Sequence, residues 1–231
     1  MSLIRILEAE IMDTEEDALE YDSIPNDDVN RLFVQQCLLL VPERGKVLDV
    51  GTGTAKIPIL LARARPGLKI TGTDMSKEML RLGAKNVKIA GVGGTVELKL
   101  VDAKHSDFEE GEFDAIISNS IVHHIPAPRD FFREVARIGS RDAGYLFKDL
   151  LRPATIEALD SLVRQHASDC NEYQRRLFRN SLHAALTVAE VKEFVEGAGI
   201  EGCSIEQTSD RHWTLTRPFH FSQRVGMVDS L

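Results

Sequence analysis

The stretch Val47-Leu48-Asp49-Val50-Gly51-Thr52-Gly53 narrows the fold of this 231-residue chain more than any other. Lys46 to Val50 is a short apolar run between Gly45 and Gly51, the pattern of a buried strand. Gly51 and Gly53 predict a tight turn, and Thr54 is placed to cap a helix beginning near Ala55. Ile57, Leu60, Leu61 and Ala64 recur at the spacing of one helical face. Pro58 fits only in a first turn, where amides lack intrahelical partners. Strand, glycine turn and helix together give backbone that a ligand can approach closely, with amides that favour a negative group.

A dinucleotide would use the same three parts. Its fingerprint needs a third glycine three residues after the second, and that position is Lys56. Asp49 instead sets an anion inside the turn, useful to a ligand carrying an ammonium. Asp49-x-Gly51-x-Gly53 resembles motif I of class I S-adenosylmethionine-dependent methyltransferases. S-adenosylmethionine has an ammonium, a carboxylate, a sulfonium, a ribose diol and an adenine. The resemblance implies it as cofactor, with Asp49, Gly51, Thr52 and Gly53 in contact with it.

Leu68 to Asp74 reads as a second strand after the turn at Pro66-Gly67. Asp74 ends it, where an acid can hydrogen-bond both hydroxyls of a ribose held by the glycine turn. Met75 follows, positioned for an adenine face, and Ser76 caps a helix carrying Met79, Leu80, Ala84 and Val87. A third strand is predicted over Val96–Asp102, ended by Asp102-Ala103. In the resembling family an acid at this place accepts from the adenine amino group, which implies Asp102 and Ala103 as cofactor contacts.

Phe113-Asp114 opens a buried strand that turns polar at Ser118, Asn119 and Ser120. Ligands of open parallel sheets bind at that C-terminal edge, so Asn119 and Ser120 are cofactor candidates. His123-His124-Ile125-Pro126, a helix from about Arg129 to Ile138, a turn at Arg141–Ala143 and a fifth strand Gly144–Leu150 follow. This succession resembles the methyltransferases that act on small molecules, including quinone-biosynthesis and natural-product enzymes. His123, His124 and Asp149 fall at strand ends beside the expected methyl group and are the catalytic candidates. Neighbours on an extended segment point to opposite sides, so one histidine is expected in the pocket. His123 shares parity with Asn119 and is the expected base; the resemblance implies a histidine here and an acid at the end of the fifth strand, where Asp149 either orients the imidazole or contacts the substrate directly. Arg152 (with Asp149 as its expected partner), His183, Arg211 and Trp213 are secondary candidates for substrate contact.

The flanks complete the architecture. Residues 3–22 read as an acidic helix with Leu3, Ile6, Leu7, Ile11 and Leu19 as its apolar stripe, broken at Tyr21-Asp22 and Pro25-Asn26. A second helix is expected to turn Val29, Leu32, Phe33, Gln36, Leu39 and Leu40 inward. Residues 1–44 are then either two helices on the sheet or a lid over the cofactor, with Tyr21 or Arg31 touching it. After the core at 45–150, residues 151–186 form a helical insertion, with helices around Ile156–Val163 and Leu177–Ala185, suited to an acceptor pocket. Thr187-x-x-Glu190 starts a last helix, ended by Gly199, and Cys203–Thr208 with His212–Thr216 close an antiparallel hairpin. The expectation is one domain: a doubly wound, Rossmann-like α/β fold with seven mainly parallel strands and an antiparallel edge strand.

Charge narrows the partners. The net charge is −8, and residues 1–28 hold ten acids against Arg5 alone. Such a field opposes a phosphate backbone, so nucleic acid is not an expected partner. No membrane span or signal-peptide core is read, and three dispersed cysteines suit a reducing cytoplasm and show no paired metal spacing. The expected activity is methyl transfer to a small-molecule acceptor; a homodimer is compatible with it. A protein or RNA methyltransferase, or a non-catalytic cofactor-binding protein, is the alternative. The Asn-Pro-Pro-Tyr pattern of many amino-group methylators is missing, because Ser120-Ile121-Val122 follow Asn119.

Overall fold

The computed structural model describes residues 3–8, 13–23 and 26–220. Within them, seven strands form one sheet in the order β3-β2-β1-β4-β5-β7-β6. These are β1 (Gly45–Val50), β2 (Leu68–Asp74), β3 (Val96–Leu100), β4 (Phe113–Asn119), β5 (Gly139–Leu150), β6 (Ser204–Gln207) and β7 (His212–Arg217). β1 to β5 pair in parallel. β7 runs antiparallel between β5 and β6, so the hairpin closes one end of the sheet.

Eight α-helices surround it among the described residues: α1 (Glu15–Ser23), α2 (Asp27–Leu40), α3 (Lys56–Ala64), α4 (Lys77–Ala90), α5 (Pro128–Ile138), α6 (Ile156–His166), α7 (Glu172–Ala184) and α8 (Val188–Gly197). One face of the sheet packs against α5 and α8 through Phe131, Phe132, Val135, Val191 and Trp213. The other packs against α2 and α3 through Phe33, Cys37, Ile59 and Leu61. A third cluster joins Leu150 to Leu159 of α6 and Leu182 of α7, with Leu3 packed on it. Burying both faces requires continuously apolar central strands, and Ala115-Ile116-Ile117 of β4 supplies one.

Several boundaries differ from the expectations. Residues 3–8 are not helical: the amides of Leu3 and Ile6 bond to Ala154 O (3.0 Å) and His183 O (3.3 Å). Tyr21 and Asp22 close the last turn of α1 instead of breaking it; Ile11 and Pro25 lie outside the described residues. On α2 the inward face is Asn30, Phe33, Val34 and Cys37, while Val29, Leu32 and Leu39 face outward. On α4 it is Met79, Leu82, Gly83 and Val87, with Ala84 exposed. β3 stops at Leu100, short of Asp102. Arg141–Ala143 form no turn but belong to β5, whose register against β4 shifts between Phe113 and Ala115. α7 begins at Glu172, five residues before Leu177, where Asn171 and Gln174 make a capping box. Capping by Ser76 and by Thr187 with Glu190 follows the sequence signals.

Candidate functional site

The C-terminal ends of β1, β2, β4 and β5 converge on one edge of the sheet. After β1 the chain turns through Gly51 (φ +74°) and Gly53 (φ +53°), backbone angles that side chains rarely adopt. Thr54 does not cap α3; Ala55, itself left-handed at φ 64°, takes that position, and the Thr54 hydroxyl is buried without a partner. Asp49 is buried within the turn, and among the described residues its carboxylate accepts only the Thr52 hydroxyl, at 2.7 Å. Burial, reinforced by the charge of Asp74 and tempered by Thr52, pushes its pKa up to about 7. A nearly buried carboxylate with one weak partner suits a cationic ligand.

Asp74, ending β2, links the turn to the next helix: one oxygen accepts from Gly53 N and the other from Ser76 N, each at 2.9 Å. Met75 beside it is half-exposed. Asp102 is engaged by Lys104, whose Nζ lies 2.7 and 2.8 Å from its two oxygens, and Ala103 packs against the core. Asn119 ends β4, and Ser120 takes a left-handed φ of 61°. Two residues close on the glycines: a Cβ at Gly51 would overlap Ile121, and one at Gly53 would lie 3.3 Å from the Tyr21 ring. Tyr21 stands there because Asp22 bonds to Lys56 and Ala18 packs on Met79 and Leu82. Arg31 pairs instead with Asp28 on the exposed side of α2.

The histidines do not lie on an extended segment. Ser120 breaks the alternation, and Val122–His124 form a 3₁₀ turn that sets the two imidazoles side by side, with centroids 4.1 Å apart. His123 is buried, and its Nδ1 lies 2.6 Å from Asp149 Oδ1. The amides of Val122 and Leu150 also donate to Asp149, each at 2.6 Å. Burial alone would lower the His123 pKa; the charge and hydrogen bond of Asp149 outweigh it, and the net shift is upward. Burial would raise Asp149, but His123 and the two amides hold it below its ordinary value. His124 is more exposed, and its Nδ1 lies 2.7 Å from Glu8 Oε2.

Glu8 and Arg5 also reach this edge, and no local sequence pattern marks them. Arg5 ties residues 3–8 across the site, donating to Ala184 O (2.6 Å), His123 O (3.1 Å) and Ile125 O (3.0 Å). Its only sequence signal is its isolation among ten acids. The secondary candidates disperse. Arg152 pairs with Glu190 at 2.6 Å and not with Asp149, and Trp213 is wholly buried opposite Asp149. Arg211 contacts His166 and Asp210, and His183 adjoins the N-terminal segment.

An open α/β sheet in this strand order, with an acid-bearing glycine turn after β1 and an acid ending β2, is the framework of the class I S-adenosylmethionine-dependent methyltransferases. The chain belongs to the methyltransferase-domain family, whose profile matches residues 43–211. It is 34% identical over 95 residues to phosphatidylethanolamine N-methyltransferase of Cereibacter sphaeroides, covering 41% of this chain and 45% of that one. It is 30% identical over 147 residues to demethylmenaquinone methyltransferase of Thermotoga maritima, covering 64% and 62%. The chain thus spans about half to three-fifths of those relatives' lengths. A methyltransferase of Aquifex aeolicus shares the fold at a TM-score of 0.67 with 16% identity, over 88% of this chain and 97% of that one. Among the described residues no helix is long and apolar enough to cross a membrane.

Proposed function

We propose that the protein transfers a methyl group from S-adenosylmethionine to a small molecule with a proton to lose, such as a hydroxyl compound. The observation that carries this reading is the Asp149–His123 pair beside the glycine-turn edge. Asp49, Gly51, Thr52, Gly53, Asp74, Met75, Asp102, Ala103, Asn119 and Ser120 are the residues that would hold the cofactor. The buried, poorly partnered carboxylate of Asp49 fits its ammonium, and Asp74 keeps a lone pair on each oxygen for a diol. Bound there, S-adenosylmethionine supplies a methyl carbon on a positively charged sulfur. Asp149 holds the His123 Nδ1–H, which would leave Nε2 to take the proton of a hydroxyl acceptor. α1 with Tyr21, and residues 3–8 with Arg5, act as covers that exclude water and align the acceptor.

The names of the relatives support a small acceptor: demethylmenaquinone for the Thermotoga maritima protein, phosphatidylethanolamine for the Cereibacter sphaeroides one. Acidic net charge supports the same choice over RNA. Incubation with methyl-labelled S-adenosylmethionine and a metabolite extract tests it. Label in the low-mass fraction is the expected outcome; label in protein or RNA would favour a macromolecular acceptor, and none at all a binding protein without turnover.

A further inference from the structure

Glu8, His123 and His124 each bring one metal-ligating atom into a common space, the three atoms lying within 4.8 Å of one another. Among the described residues this is the only such group. We propose that it binds a divalent ion of the zinc class, and that the ion and the role of His123 as base exclude one another.

Two imidazoles and a carboxylate are a ligand set that zinc accepts, with a fourth position left for water. Each ligand has its own support. Asp149 holds His123 from the Nδ1 side at 2.6 Å, which leaves Nε2 free and reproduces the carboxylate–histidine–metal relay that orients and strengthens such ligands. Ser181 Oγ donates to Glu8 Oε1 at 2.5 Å, fixing that carboxylate from α7. The 3₁₀ turn puts His124 beside His123, and Arg5 pins the same turn through the carbonyls of His123 and Ile125. Ligands around one zinc ion lie about 3.3 Å apart, so atoms up to 4.8 Å apart need to close by at most about 1.5 Å. The carboxylates of Glu8 and Asp149 both face His123, with the guanidinium of Arg5 opposing them, so with the imidazoles neutral the space favours a cation.

Sequence spacing could not show this set, because Glu8 lies far from the histidine pair along the chain. An ion held by His123 takes the lone pair that would accept the acceptor proton, so the filled site is an off state. The binding is independent of the methyl-transfer reading; only this consequence rests on it.

The test uses the full chain after treatment with a chelator, without cofactor or acceptor. Zn²⁺ is titrated by calorimetry and Co²⁺ by visible absorption. The expected result is one ion per chain, without the thiolate-to-cobalt band that Cys37, Cys170 or Cys203 would produce. Glu8→Gln and His124→Ala should each weaken binding at least tenfold, while His166→Ala, in the separate pair with Asp210, should leave it unchanged. Thermal melts confirm that each variant folds, and the exposed His124 side chain is the safer substitution. Absence of saturable binding, a thiolate band, or unchanged affinity in either ligand variant would overturn the proposal. S-adenosylmethionine titrated into the zinc-loaded chain separates the two readings: its binding is expected to persist whether or not the metal site is real.

Discussion

His123 Nδ1 and Asp149 Oδ1 lie 2.6 Å apart at the end of β5, with both side chains almost wholly shielded from solvent. The pair joins a 3₁₀ turn after β4 to the neighbouring strand, so imidazole orientation is set by the sheet and not by a loop. Asp149→Asn keeps the shape and removes the charge, and should move the His123 titration downward, measured by NMR of the imidazole. The raised His123 pKa contributes stability fully present below its unfolded value and lost as pH rises through the folded one. The depressed Asp149 pKa contributes stability present above its unfolded value and lost as pH falls through the folded one. An unmoved titration in the variant would show that the carboxylate does not govern the ring.

With an acceptor in hand, His123→Ala should cut turnover by about 10²–10⁴ and barely change cofactor affinity. His124→Ala should cost much less, because its partner Glu8 comes from the N-terminal segment and not from the sheet. Steady-state kinetics on both variants decides; equal losses would assign the two rings one shared role.

Asp49 yields a pH prediction. Its folded pKa of about 7 lies above the ordinary 3.8, so its contribution to stability is full below 3.8 and is lost as pH rises through about 7. Asp49→Asn should therefore be more stable than the parent at pH 8, by roughly 4 kcal/mol, with little difference at pH 4. Cofactor affinity should move the other way, rising with pH through about 7 in the parent as the carboxylate ionises and staying flat in the variant. Melts and titrations at three pH values test both signs.

Arg5→Ala removes three hydrogen bonds to backbone carbonyls. The expected cost is about 1–3 kcal/mol of stability. Amide exchange should accelerate in residues 3–8 and in Val122–Ile125, and not in β1 or β4. Uniform acceleration would mean that Arg5 supports the whole fold and not a local cover.

The parts legible in the sequence are those written in neighbouring residues. The glycine turn, Asp74 at its strand end, the Ser76 cap and the Thr187–Glu190 capping box each need only a few consecutive positions. The inward face of α2 is ambiguous in the sequence because both sides of that helix carry apolar residues: Cys37 faces the core while Leu39 faces water. Arg141 to Ala143 read as a turn from their charges before Gly144, yet they belong to β5, whose pairing with β4 runs across an irregular register. Strand alternation does not order the histidine pair, because the left-handed Ser120 and the 3₁₀ turn abolish it. Glu8 and Arg5 reach the site from the far N-terminal end, and no local pattern encodes such a contact.

Calorimetric titration of S-adenosylmethionine into the full chain at pH 8, alongside Asp74→Ala and Gly51→Val, tests the central claim most directly. One site is expected, with an affinity of about −7 to −9 kcal/mol, in the micromolar range. Asp74→Ala should lose about 1.5–3 kcal/mol with its ribose hydrogen bonds. Gly51→Val should abolish binding, since a side chain at φ +74° is strained and would overlap Ile121. No saturable heat in the parent, or parent-like isotherms in both folded variants, would contradict a cofactor site at this edge of the sheet.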